Sequence, residues 1–155
     1  MGIKKDLPSL ESDYDYASEW VNGMGFRFDM HGEHGNLKSL AEHLLDMALH
    51  HVNCKIRVES LDTLKYGCGN HYELISGLDL MRICRRFDTM TDDEVVVANE
   101  LLGMWANPAT MPYIEKFGDS PNSQVRVSAL DAIDDINEII NFEQLKSKEQ
   151  PKASD

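Results

Sequence analysis

The sequence predicts an all-α protein: a short right-handed α-solenoid of about three helix pairs behind an N-terminal helical cap. Three observations carry that prediction. Residues 56–64, IRVESLDTL, recur as residues 125–133, VRVSALDAI, with Arg57, Val58, Leu61 and Asp62 matched by Arg126, Val127, Leu130 and Asp131. A degenerate third copy, EVVVANELL at residues 94–102, lies between them and replaces the arginine with Val95. Residues 37–49 carry a broad apolar stripe at helical spacing: Leu37, Leu40, Ala41, Leu44, Leu45, Ala48 and Leu49. Helical-pair repeats run roughly 34 to 47 residues. Copies starting at 56, 94 and 125 therefore fit one pair each, with a brief helix or tight turn in the second, shorter interval.

The elements follow in order. Pro8, Ser9 and Glu11 open a cap helix with Leu10, Tyr14, Ala17 and Val21 on one stripe, Trp20 and Met24 beside it, and Gly23 and Gly25 at its end. Residues 26–35, FRFDMHGEHG, alternate apolar and polar at Phe26, Phe28 and Met30, so a short extended piece and an irregular loop are expected. The cap and loop fill residues 1–35. Asn36 is a plausible N-cap for the helix over the 37–49 stripe. Its partner, the first repeat helix, follows Asn53 and ends at Tyr66–Gly67–Cys68–Gly69–Asn70. The next helix takes Tyr72, Ile75, Leu78, Met81, Ile83 and Phe87 on its apolar side, weakened at Gly77 by about 1 kcal/mol relative to alanine. Thr91 and Glu94 form a T-x-x-E capping box for the middle copy. Asn107–Pro108 restarts the pattern, and Pro112 falls where a first turn lacks donors anyway. Ser123 caps the last helix, which buries Val125, Ala129, Ala132, Ile133, Ile136 and Ile140. The pairs thus lie near 36–66, 72–105 and 107–140, within 36–142. The polar tail, residues 143–155, is expected to be disordered.

The pattern V/I-R-x-x-A/S-L-x-A-L/I resembles the second helix of a HEAT repeat. Residues 107–136, NPATMPYIEKFGDSPNSQVRVSALDAIDDI, look like one complete unit with its turn at Gly118, Asp119, Ser120 and Pro121. The resemblance implies that the repeated arginine reaches an acidic turn residue and ties neighbouring units together, Arg126 with Asp119. It also implies that the second helices line a concave surface.

Net charge is −12, from 27 acids against 15 bases. Such a field disfavours nucleic acid and anionic membrane and favours a basic protein partner. No apolar run approaches the roughly 20 residues of a membrane span. The N-terminus lacks the apolar core of a secretory signal, so a cytoplasmic protein is expected. The three cysteines, Cys54, Cys68 and Cys84, have no paired spacing and read as reduced thiols. Cys84 sits on an apolar face as a small hydrophobe.

Chemistry-bearing motifs are sparse. His31, Glu33 and His34 share a glycine-rich loop, and His50 and His51 are adjacent, yet no HExxH and no zinc spacing occurs. Neither a metal nor any other cofactor is expected. Cys68 with His71 could be written as a nucleophile and base, but glycines on both sides of Cys68 read more simply as a turn. No nucleophile elbow, phosphate loop or dinucleotide fingerprint is present, and a non-enzymatic protein is expected. Acids are the better candidates. Asp62, Glu100 and Asp131 occupy one equivalent position in the three copies. Glu59 stands at the position of Ser128, and Asp134, Asp135 and Glu138 crowd the last helix at like-charge spacings. Stacked helices would set these carboxylates in a row, as an acidic binding groove or as a solvated outer face. A small acidic HEAT-like protein resembles the immunity proteins that neutralise bacterial toxins, which often cover a basic nuclease domain. An adaptor or regulatory scaffold in a larger assembly is the alternative.

Overall fold

The computed structural model describes residues 7–30 and 36–149. Every regular element among them is helical. No helix among them is long and apolar enough to cross a membrane.

Helix α1 (Tyr14–Asp29) starts later and ends later than its sequence suggests. Ser9 to Ser12 form a turn, and the Asp13 carboxylate caps the helix by accepting from the Tyr16 amide. Phe26 to Asp29, expected to be extended, are helical. Ala17, Val21, Met24 and Phe28 make one buried stripe, and Phe28 decides the matter. Burying it is worth about 1.5–3 kcal/mol, enough to offset about 1 kcal/mol at each of Gly23 and Gly25. The rest of the expected loop, residues 31–35 with His31, Glu33 and His34, lies outside the described residues.

Helix α2 (Leu37–His50) carries the predicted stripe, with Leu37, Ala41, Leu44, Leu45, Ala48 and Leu49 buried. Asn36 precedes it without making a side-chain cap bond. The chain reverses at residues 51–53 into α3 (Cys54–Asn70), capped by the Asn53 side chain on the Lys55 amide. The break expected at residues 66–70 does not occur, and α3 runs through both glycines. Gly67 is needed because the Phe28 ring lies 2.8 Å from where its Cβ would be. This glycine marks a close approach of two helices, not a turn.

One long helix was expected over residues 72–87. The chain instead forms α4 (Tyr72–Ser76), α5 (Met81–Cys84) and a 3-10 turn at Phe87–Thr89. Leu78 and Leu80 are both buried. The chain breaks at Gly77, the C-cap of α4, a residue that costs a helix interior about 1 kcal/mol relative to alanine.

Helix α6 (Asp92–Trp105) has the predicted capping box. The Thr91 hydroxyl accepts from the Glu94 amide, and the Glu94 carboxylate accepts from the Thr91 amide. It ends at Ala106, whose φ of 58° is left-handed. A 3-10 turn at Pro108–Thr110 leads into the five-residue α7 (Met111–Glu115), with both prolines in first-turn positions. The short interval between copies thus holds a brief helix. Helix α8 (Ser123–Glu149) is capped by Asn122, not Ser123: the Asn122 Oδ1 accepts from the Gln124 and Val125 amides. It also continues through residues 143–149, where a disordered tail was expected. Polar straight-chain residues there retain good helix propensity.

Cross-helix bonds give the direction of packing. Tyr14 and Ser18 reach Glu59, while Asp29, at the far end of α1, meets Tyr66. Arg57 meets Glu94, and Lys65 meets Glu100. Asn122 meets Asp92, Asn99 meets Ser128, and Gly103 abuts Ala132. Helices α1, α3, α6 and α8 therefore lie side by side in that order and run the same way. Helices α2 and α4 pack on α3, and α7 packs on α8. The main apolar core threads between them, from Val21 and Leu44 through Leu61, Leu64, Ile83 and Leu101 to Ala129 and Ile136, and a smaller cluster joins Ala17, Met47 and Ile56.

Candidate protein-binding groove

A concavity of about 840 Å³ runs between α6 and α8, with Lys65 of α3 at one side. Val96, Glu100 and Met104, at helical i, i+4, i+8 spacing, line it from α6. Gln124, Val127, Ser128, Asp131 and Asp135 line it from α8. The two helices touch at Gly103, where a Cβ would stand 3.0 Å from the Ala132 Cα and 3.4 Å from an Asp135 carboxylate oxygen. That contact holds Asp135 against α6 and sets the groove's width.

Beneath the rim is a polar pair that sequence reasoning missed. The Asn99 amide donates to the Ser128 hydroxyl at 3.1 Å, and that hydroxyl donates to the Val125 carbonyl at 2.8 Å. Asn99 is fully buried, and its Oδ1 has no hydrogen-bond partner among the described residues. The only signal was an asparagine inside the run VVVANELL. The Asn99–Ser128 bond ties α6 to α8 in one register, with one Asn99 acceptor left over.

The seven acids singled out from the sequence divide. Glu100, Asp131 and Asp135 face one groove. Asp62 reaches it through Lys65, whose ammonium lies 3.3 Å from Asp62 and 2.5 Å from Glu100. The expected all-acid row therefore contains a cation. Burial pushes the Lys65 ammonium pKa down, but hydrogen bonds and charge from Glu100 and Asp62 outweigh it, so the net shift is upward. Glu59 belongs elsewhere. It faces α1, accepting from the Tyr14 hydroxyl at 2.7 Å and the Ser18 hydroxyl at 3.0 Å. Its hydrogen bond raises the Tyr14 hydroxyl pKa. Asp134 and Glu138 are exposed on the outer flank of α8 and do not line the groove.

The repeated arginines also divide. Arg57 reaches the next unit: its Nε and Nη2 donate to the two Glu94 oxygens at 3.1 and 3.2 Å, and its Nη1 donates to the His51 carbonyl. Glu94 is buried, which alone would raise its pKa. Hydrogen bonds from Arg57 and the Thr91 amide reverse that and hold it below the usual carboxylate range. Arg126 does not reach Asp119. It donates to the Ser120 carbonyl at 2.8 Å, because the turn presents its backbone to the guanidinium.

The other candidate chemistry lies apart from the groove. Cys68 is buried in α3, and burial pushes its thiol pKa up, the opposite of what a nucleophile needs. The His71 ring faces the Phe28 carbonyl at 2.5 Å. Cys84 is buried, with its pKa pushed up to about 11 by desolvation. His51 is buried, its Nδ1 accepting from the Asn53 amide, so its Nε2–H faces the Ser12 carbonyl at 3.0 Å. Among the described residues no group of three His, Cys, Asp or Glu side chains is placed to hold a metal ion. Compared with protein families, curated proteins and solved structures, the chain matches none of them.

Proposed function

We propose that the chain is a short α-solenoid of HEAT-like units acting as a non-enzymatic protein-binding module. Its partner would be a cationic toxin domain of the nuclease kind, neutralised through the α6–α8 groove. The side-by-side, same-direction run of α3, α6 and α8 supports the repeat reading, since these helices hold the three sequence copies. One observation carries the functional reading: Glu100, Asp131 and Asp135 line one groove together with Val96, Met104 and Val127, in a chain of net charge −12. Apolar and charged side chains exposed side by side suit a specific interface, and acids there speed encounter with basic partners.

The test is binding of the adjacent gene's product by calorimetry across a salt series. The expected result is affinity that weakens with salt and falls when Asp131 and Asp135 become asparagine. Binding indifferent to both changes, or confined to acidic partners, overturns the reading. The second reading, an adaptor in a larger assembly, draws on the far end of α8. Ile139, Phe142 and Leu145 are all exposed there on one arc of the helix, an unusual apolar display. Deleting that end would then abolish assembly and leave the groove's own binding intact.

A further inference from the structure

We propose that a second, smaller cleft, sharing no lining residue with the groove, binds a small oxyanion of the phosphate or carboxylate class between Arg86 and His50. The cleft measures about 270 Å³ and lies where the end of α2, residues 51–52, the start of α3, the Phe87–Thr89 turn and the first turn of α6 meet. Its lining is dominated by polar groups: His50, His51, Arg57, Arg86, Thr89 and Glu94.

The charges around it do not cancel. Glu94 and Arg57 satisfy each other across two hydrogen bonds. Arg82, nearby, is held by Asp46 at 2.7 Å, and Asp88 is held by Lys116. Arg86 remains. Its Nε is buried with no hydrogen-bond partner among the described residues, and no carboxylate among them lies within ion-pair distance of it. A desolvated donor on a permanent cation, left unmatched, is costly. In a chain with an excess of acids, leaving one arginine without an acid beside a cleft calls for a functional explanation.

The geometry of the groups defines the ligand. The two Nη groups of a guanidinium form a fork that matches two oxygens of a carboxylate or phosphate; the Arg86 Nε, which is buried, is not one of its prongs. His50 also lines the cleft, close enough for the Arg86 charge to act on it, and is a second donor. Its own basicity is lowered by burial and then by Arg86 and Arg82, with Asp46 opposing. An anion seated between His50 and Arg86 would reverse that repulsion. The volume falls below the roughly 300–1,000 Å³ of drug-sized sites, so an inorganic ion or the acid group of a small metabolite fits.

The experiment uses the full chain, titrated separately with sodium phosphate and sodium acetate at ionic strength held constant with sodium chloride. Two-dimensional amide NMR and the His50 ring titration are followed. The expected result is saturable shifts confined to His50, Thr89, Met90 and the Arg86 Nε–H, with the His50 midpoint moving up. Arg86→Gln should weaken binding at least about tenfold, while Arg85→Gln, at an exposed neighbouring site, should not. Saturation with phosphate alone assigns a tetrahedral anion, and with acetate as well, a carboxylate. Shifts that do not saturate, that match those with chloride, or that persist in Arg86→Gln overturn the proposal. If Arg86→Gln does not fold, Arg86→Lys keeps the charge without the fork. A phosphate-dependent rise in Tm that survives in that variant undiminished overturns the proposal equally.

Discussion

The first and last copies of the repeat share a sequence and differ in surroundings. Helix α3 has α1 on one side and α6 on the other, whereas α8 packs on α6 alone within the row. Leu61 is consequently 0 % exposed and its counterpart Leu130 is 46 % exposed. Arg57 joins two units through Glu94, and its counterpart Arg126 serves only the turn before its own helix. Asp62 is paired with Lys65, and Asp131 has no ion pair among the described residues. A motif fixes which face a residue takes on its helix. The neighbours decide whether that face becomes core, bridge or open surface.

The comparison can be broken at its strongest point first. Removing one partner of a buried pair costs roughly 3–5 kcal/mol. Arg57→Ala should fall near the low end of that range because its side chain keeps 20 % exposure. Arg126→Ala should cost about 1 kcal/mol, the worth of one hydrogen bond. Urea titration of both variants checks this, and equal losses would remove the asymmetry. The same pair governs acid stability. The Glu94 pKa is lower folded than unfolded, so its contribution is complete above the ordinary value of 4.5 and is lost as pH falls through the lowered one. Glu94→Gln should flatten the acid limb of a pH–stability curve.

Leu61→Ala should cost about 2–5 kcal/mol, and Leu130→Ala should stay within about 0.5 kcal/mol, as read by thermal unfolding. Within α3, Gly67→Ala should destabilise by about 1–3 kcal/mol through the Phe28 ring. Gly69→Ala, exposed and with only a methionine tip at 3.7 Å, should stabilise by up to about 1 kcal/mol. The smallest expected effect is at Asp131→Asn. Relieving its repulsion with Asp134 and Asp135 should add a few tenths of a kcal/mol while weakening capture of a basic partner.

Legibility from sequence followed the same logic. The stripe of α2, the capping box of α6 and the repeated copies were readable because each is local or periodic. Glycines misled wherever their reason was a distant residue. Gly67 in α3 answers to Phe28 in α1, and nothing in the local run GCGN says so. The region 72–87 was misread because one helical template was carried across Gly77, where α4 ends. In the groove, Glu100 and Asp131 could be paired by alignment. Lys65 could not, since it enters from a neighbouring helix and is absent from the aligned positions.

Four helices of the row, α1, α3, α6 and α8, point the same way, and α2 turns back at residues 51–53. Each helix behaves as about half a unit charge at either end, positive at its start. Antiparallel bundles cancel these ends, but this arrangement adds them. The molecule is therefore electrically lopsided from end to end, beyond what its side chains impose. Within the roughly 8–10 Å over which salt leaves a field alive, an approaching ion exerts a torque on the molecule before it makes a contact.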